Sequence, residues 1–286
     1  MTPEPVVPAP APSEPERNVW PSVVTLLFAF MGMLVASCLL GVVVIVLKGA
    51  KEALADPMQL VSQPVFLFGS LIATQLSIGL AVWKLPALFK DQDGGPWLAR
   101  MRWLPEKFSA LDLLITLLGT LGVGVLSMGV VRLIGAKGMS LEMLDKAAQQ
   151  MNPALFGVLM LIGSLGAGFC EEFAFRGMLQ TRLVQKFGAT AGIFIAAAVF
   201  GFWHLDAVHS PLAMMLGLWL GWCAHRQGTI VTVVLAHTLN NAISFIGSRT
   251  KMDDSQLDAK VSIAIGFVVF LICAAAMFAR TRNRAV

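Results

Sequence analysis

Charge is so sparse in this sequence that cutting it at every Asp, Glu, Lys and Arg leaves eight uncharged stretches of at least 19 residues: 18–47, 57–83, 113–131, 147–170, 187–205, 207–225, 227–248 and 261–279. A helix needs about 20 predominantly apolar residues to cross the hydrocarbon of a bilayer, and each stretch is close to that length or above it. Apolar and polar residues do not alternate along them, as they would along the ~10-residue strands of a membrane barrel, so a barrel is excluded. Composition agrees, with 57% hydrophobic and 13% charged residues and a mean hydropathy of +0.75. An ordinary soluble domain carries about 25% charge, and here the polar surface is too small to cover a globule in water. The expected fold is all-α: a polytopic membrane protein of about eight transmembrane helices, the sixth shortened by Ser210-Pro211.

The net charge of +4 is not a nucleic-acid signal, because no basic run with interleaved aromatics stands free of the apolar stretches. It reads as topology. Counted on alternate loops, Lys and Arg number 13 on one side, with Arg17, the 84–107 loop, Arg176, Arg182, Lys186, Arg226 and the C-terminal arginines, against 8 on the other. The positive-inside rule then places both termini in the cytoplasm. Residues 1–17 hold a Pro-rich segment without the apolar core of a signal peptide, and are expected to be a disordered cytoplasmic tail. Residues 18–150 form N-terminal transmembrane helices with amphipathic loops, and 251–286 the last helix and a basic C-terminus. The 84–107 loop, with Trp97 and Trp103, suits either the headgroup layer or an ordinary positive-inside loop. Residues 140–151 read as a short helix capped by Ser140, and Gly217 and Gly221 as a close-packing face. Cys38, Cys170, Cys223 and Cys273 have no metal-type spacing and read as small packing residues.

Ionisable residues in the apolar stretches are where chemistry is expected, because a charge at mid-bilayer costs roughly 2.5–3.5 kcal/mol even on lenient scales. Three places qualify: Glu171-Glu172 with Arg176, Phe200 with His204, and His237 with Asn241. Consecutive helical residues are about 100° apart, so the two glutamates cannot share a face, whereas Glu172 and Arg176 can pair across one turn. Glu172 and Arg176 are therefore expected to be a structural ion pair at the cytoplasmic end of their helix. Glu171, left without a local partner, is the candidate general base. Alone, the acidic segment fits equally the charged rim where a helix leaves the membrane. Phe200 can back His204 with apolar support, and Asn241 shares a face with His237, while Asn240 points elsewhere. Thr238 and Asn240 are then helix-contact hydrogen bonders, and His209 and His225 ordinary satisfied histidines. Converged, Glu171, His204, His237 and Asn241 could hold a water and stabilise an oxyanion, the minimal set for amide hydrolysis. One depth estimate stands against convergence: at 1.5 Å per residue, His204 lies about 27 Å from Lys186, but His237 only about 17 Å from Arg226.

The order EExxxR, FxxxH, HxxxN on successive membrane helices resembles the CPBP family, the CAAX-protease and bacteriocin-processing (Abi) group of intramembrane peptidases. The resemblance covers residues 151–250, which it marks as the catalytic helices. It implies an intramembrane endopeptidase acting on a membrane protein or a lipidated peptide in the bilayer, with Glu171 activating water aided by His204, and His237 and Asn241 stabilising the oxyanion. Both a metalloprotease and a metal-free glutamate peptidase fit it. If zinc is the cofactor, its ligands would be Glu171, His204 and His237, an acceptable donor set although HExxH is absent. The expected setting is a bacterial inner (plasma) membrane. Two other readings stay open: a proton- or ion-coupled transporter, disfavoured because the polar motifs fall only in the second half, and a non-catalytic immunity or scaffold protein of the same fold.

Overall fold

The structure is a computed structural model that describes residues 18–49, 63–88, 96–250 and 257–284, so the tail expected over 1–17 lies outside the described residues. Among these residues there is no strand, and the fold is all-α and polytopic. The long helices are α1 (Trp20–Lys48), α2 (Pro64–Leu88), α3 (Ala110–Ile134), an amphipathic α4 (Met139–Gln150), a helical stretch over Pro153–Trp203, then α5 (His209–Gln227), α6 (Val231–Thr250) and α7 (Ala259–Thr281). Their ends follow local signals. Ser109 accepts from Asp112 N–H at the start of α3, and Gly135 closes that helix in the left-handed conformation. Asn152 caps Leu155 with Pro153 at the first helical position, and Asp258 caps the start of α7.

Among the described residues six segments are long and apolar enough to cross a membrane: Trp20–Leu47, Val65–Leu85, Ala110–Ile134, Pro153–Trp203, Val231–Thr250 and Ala259–Thr281. Seven of the eight apolar runs map onto these six segments and the remaining one onto α5. The fourth and fifth runs belong to one 51-residue helical stretch, and the sixth, α5, is diluted at its ends by His209-Ser210-Pro211 and His225-Arg226-Gln227.

Inside the 51-residue stretch the chain reverses at Gly188, whose φ of 81° and ψ of 167° lie in a region open in practice only to glycine. The two arms fold onto each other so closely that a Cβ at Gly192 would sit 2.7 Å from the carbonyl carbon of Leu183. The reversal shortens the count to His204 by only about 3 Å, yet His204 and His237 line one cavity. Gly188→Ala is expected to lower stability by about 1–3 kcal/mol, measured as a lower thermal midpoint in detergent; an unchanged midpoint would contradict the reversal.

Close approach elsewhere also rests on small residues. A Cβ on Gly266 of α7 would meet the Gly122 carbonyl oxygen of α3 at 2.6 Å, and one on Gly217 would meet Ala197 at 3.2 Å. Gly221 packs against Gln180, so Gly217 and Gly221 do form a packing face. At one end of the bundle Asp112 of α3, almost fully buried, accepts from Arg280 and Arg284 at 2.7 Å each, tying α3 to α7.

From residue 96 on, the 84–107 loop packs against the protein. Trp97 stacks on Phe173 at 5.3 Å, Trp103 packs on Phe169 and Phe173, Met101 is buried, and the Arg102 carbonyl accepts from Ile230 N–H at 3.0 Å. Phe169 and Phe173 offer aromatic faces that hold the tryptophans against the protein.

Candidate active site

The helix that carries the acidic pair is not regular. A π-helical turn at Leu161–Gly166 precedes Ala167–Glu172, and a second at Phe173–Gln180 follows it. Such wider turns inside α-helices occur mostly at functional sites. Between them Gly168 has no side chain, and a Cβ there would lie 3.1 Å from the backbone nitrogen of Thr238. That contact presses α6 against the acidic segment one residue from His237. Thr238 is thus a packing residue, its hydroxyl buried without a hydrogen bond among the described residues, and not the hydrogen bonder its position on the helix suggested.

Four buried groups then meet. Glu172 Oε1 lies 2.7 Å from Arg176 Nη1 and 2.7 Å from His237 Nδ1, while His237 Nε2 faces Glu171 Oε2 at 3.9 Å. A carboxylate can only accept, so the Nδ1 side of the imidazole carries the hydrogen and Nε2 looks toward Glu171. The two glutamates do leave their helix in different directions, and one imidazole reaches both because its nitrogens point to opposite sides of the ring. Arg176 also lies 4.3 Å over the Phe200 ring. It is buried in mid-helix and does not stand at a helix end, because helical structure continues beyond it to the break at Gly188. The segment is therefore not a charged rim.

His204 follows the end of the hairpin's second arm, and its Nδ1 donates to the Phe200 carbonyl at 2.9 Å. Phe200 turns its ring toward both imidazoles, with centroids 5.0 Å from His204 and 6.0 Å from His237. Among the described residues no hydrogen bond or ion pair joins His204 to Glu171 or His237; the three share a cavity. That cavity, about 480 Å³, is lined by Glu171, His204, His237, Asn240 and Asn241, with apolar walls that include Met33, Leu71, Val123, Leu144 and Leu216. Asn241 donates to the Gly163 carbonyl at 3.4 Å, and Asn240, on the cavity as well, donates to Asn241 at 3.4 Å. The cavity spans more of the α6 surface than one helical face, which is why Asn240 does not point away.

His209, read from the sequence as an ordinary satisfied histidine, stands on the cavity, and Asp206, which the sequence reading did not single out, supports it. His209 lines the cavity with its ring 4.4 Å from that of His204. Asp206 accepts from the backbone N–H groups of Val208 at 2.9 Å, His209 at 2.7 Å and Ser140 at 3.0 Å. It therefore caps α5 and α4 together. Ser140 is not the cap of α4: the N-cap position is Gly138, without a side-chain bond, and the missing acceptor comes from Asp206. Asp206 sits three residues ahead of His209, a spacing that could have marked the cap of α5; nothing local could have shown its bond to α4.

Partial burial opposes ionisation of Asp206, but the N–H groups of Ser140, His209 and Val208 outweigh it and bring the carboxyl from 3.8 down to about 2. A group whose acidity is increased by folding stabilises above its unfolded pKa, and that stabilisation disappears as pH falls through the folded one. Asp206→Asn is accordingly expected to unfold at a lower temperature than wild type at neutral pH, with the gap narrowing from about pH 4 toward pH 2. Thermal scans across that range check this; a gap that stays constant would exclude the clasp.

Among the described residues no group of three or more His, Cys, Asp or Glu side chains is disposed to hold a metal ion. Glu171 and His237 face each other, but the zinc set of Glu171, His204 and His237 named from the sequence is not assembled. No step below is routed through a metal.

Residues 153–243 match the family model Rce1-like, described as type II CAAX prenyl endopeptidase Rce1-like. Over that span the chain is similar to this family. The match takes in the hairpin, α5 and the part of α6 that bears His237 and Asn241, and leaves α1 to α4 and α7 outside. Together with the apolar helices it points to a CAAX-type protease embedded in a membrane. No curated protein and no solved structure matches the chain.

Proposed function

We propose that the chain hydrolyses a peptide bond of a membrane-associated, lipidated substrate, using a water held between Glu171 and His237. The observation that carries this reading is the 3.9 Å separation of Glu171 Oε2 from His237 Nε2 in a buried site, wide enough for one water to contact both. With its hydrogen on Nδ1, His237 presents Nε2 as an acceptor, and Glu171 is an acceptor as well. A water between them turns its hydrogens to the protein and a lone pair to the substrate.

Attack forms the bond from water oxygen to carbonyl carbon while one water proton passes to Glu171. The carbonyl oxygen takes the negative charge, and the Asn241 amide is placed on the cavity wall to donate to it. As the C–N bond breaks, Glu171 returns its proton to the leaving nitrogen. Glu172, fixed by Arg176, holds the His237 ring in place. His204 faces the same cavity and assists water activation. In this scheme His237 serves the water more directly than the oxyanion, because a neutral ring bonded through Nδ1 to Glu172 has no second hydrogen to give.

Buried Glu, His and Arg also build proton relays, but here the cavity joins the acid to two imidazoles beside apolar walls suited to a lipid-modified chain. The test uses purified protein in liposomes with a prenylated peptide carrying a fluorophore and quencher, together with comparison of membrane proteomes from cells with wild type or Glu171→Gln. Cleavage by the wild type and precursor accumulation with the variant are expected. Equal processing by both proteins would defeat the proposal.

A further inference from the structure

The third imidazole on the cavity, that of His209, lies outside the three motifs, and its surroundings tie it to a helix beyond the family match. His209 packs its ring 4.4 Å from that of His204, at 52° to it. Its Nδ1 lies 3.3 Å from Ser140 Oγ, and Ser140 N–H is held in turn by Asp206 at 3.0 Å. The backbone N–H of His209 bonds the other oxygen of the same carboxylate at 2.7 Å. One acidic group thus fixes both ends of the Ser140 to His209 contact.

His204 is restrained differently. Among the described residues only its Nδ1 is hydrogen-bonded, to Phe200, so the ring keeps freedom to swing about that bond, and the rings of Phe200 and His209 limit the swing. We infer that His209 is a positioning residue for His204, anchored by Ser140, and that α4 is by this route part of the active site. The inference rests on the catalytic role proposed above for His204. It explains why the first turn of α4 lacks a cap of its own and takes one from Asp206: the bond that ends the helix also sets the height of Ser140 against His209. Leu141 and Leu144 from the same helix line the cavity, so its register matters to the site.

A positioning residue is read in turnover and not in substrate affinity, since a reacting group displaced by about 1 Å can cost on the order of 100-fold. In proteoliposomes with the quenched prenylated peptide, His209→Ala is expected to lower kcat by roughly 10- to 100-fold with KM changed by less than about twofold. His209→Phe keeps a ring but loses Nδ1, and Ser140→Ala removes the same contact from its other end. Each should cost a smaller factor, and the double variant should cost no more than the larger of the two.

Wild-type kcat in His209→Ala, or single effects that multiply in the double variant, would overturn the inference. So would a kcat loss that tracks a fall in thermal midpoint. His204→Ala separates the two levels. If it is inactive while His209→Ala is normal, only the positioning role fails. If it retains full turnover, the role of His204 fails and the inference with it.

Discussion

Glu171→Gln is expected to reduce turnover of a lipidated membrane peptide by about 10²–10⁴-fold, the usual contribution of a positioned general base. The substitution keeps the size of the side chain and its place 3.9 Å from His237 Nε2, and removes only the capacity to take a proton. It leaves the Glu172–Arg176 pair untouched, so the protein should remain folded, with its thermal midpoint in detergent close to wild type or above it. The measurement is single-turnover cleavage of the quenched peptide in liposomes alongside that midpoint. Turnover within about tenfold of wild type would show that the proton goes elsewhere. A loss of activity accompanied by unfolding would show that Glu171 is structural.

The second large effect is on stability. Glu172→Ala is expected to cost about 3–5 kcal/mol, because removing one partner of a buried ion pair strands the other charge. Arg176 would keep its contact with the Phe200 ring and a 3.5 Å approach to the Gly217 carbonyl but lose its paired carboxylate, and His237 would lose the acceptor on Nδ1. Removing both charges reverses most of this. Glu172→Leu combined with Arg176→Met should recover the greater part of the lost stability, since a buried pair replaced by apolar residues of similar volume is often neutral or better. It should stay inactive, as His237 is no longer oriented. Unfolding of the single and double variants in lipid bicelles, with activity measured in parallel, tests both halves. A double variant as unstable as the single, or one that cleaves normally, would contradict the account.

How much of this was legible beforehand follows from what a sequence can encode locally. Apolar runs and helix periodicity were enough for an all-α membrane fold and for the i,i+4 contact of Glu172 with Arg176, because both depend on neighbours in one helix. The motif order was enough for the family over 153–243. A reversal between the fourth and fifth runs follows from their separation, but its position at Gly188 was not legible, since one glycine in an apolar run looks the same whether its φ is negative or 81°. Relations between helices were equally hidden. Glu172 reaching His237, Asp206 capping α4, and His209 meeting Ser140 link residues 65 to 69 positions apart. Helical spacing sorts residues onto faces but says nothing of which face meets which. For the same reason the packing of Trp97 and Trp103 on Phe169 and Phe173 was not legible.

The four-residue spacing of Glu172 and Arg176 also bears on how such a protein enters lipid at all. Their contact closes as soon as that turn winds, so the nascent segment can leave the translocon with two of its three charges already joined. Glu171 has no such companion on its own strand of chain. Its neighbour arrives only when Val231–Thr250 is inserted, which makes the docking of that later helix the moment at which the reaction centre first exists.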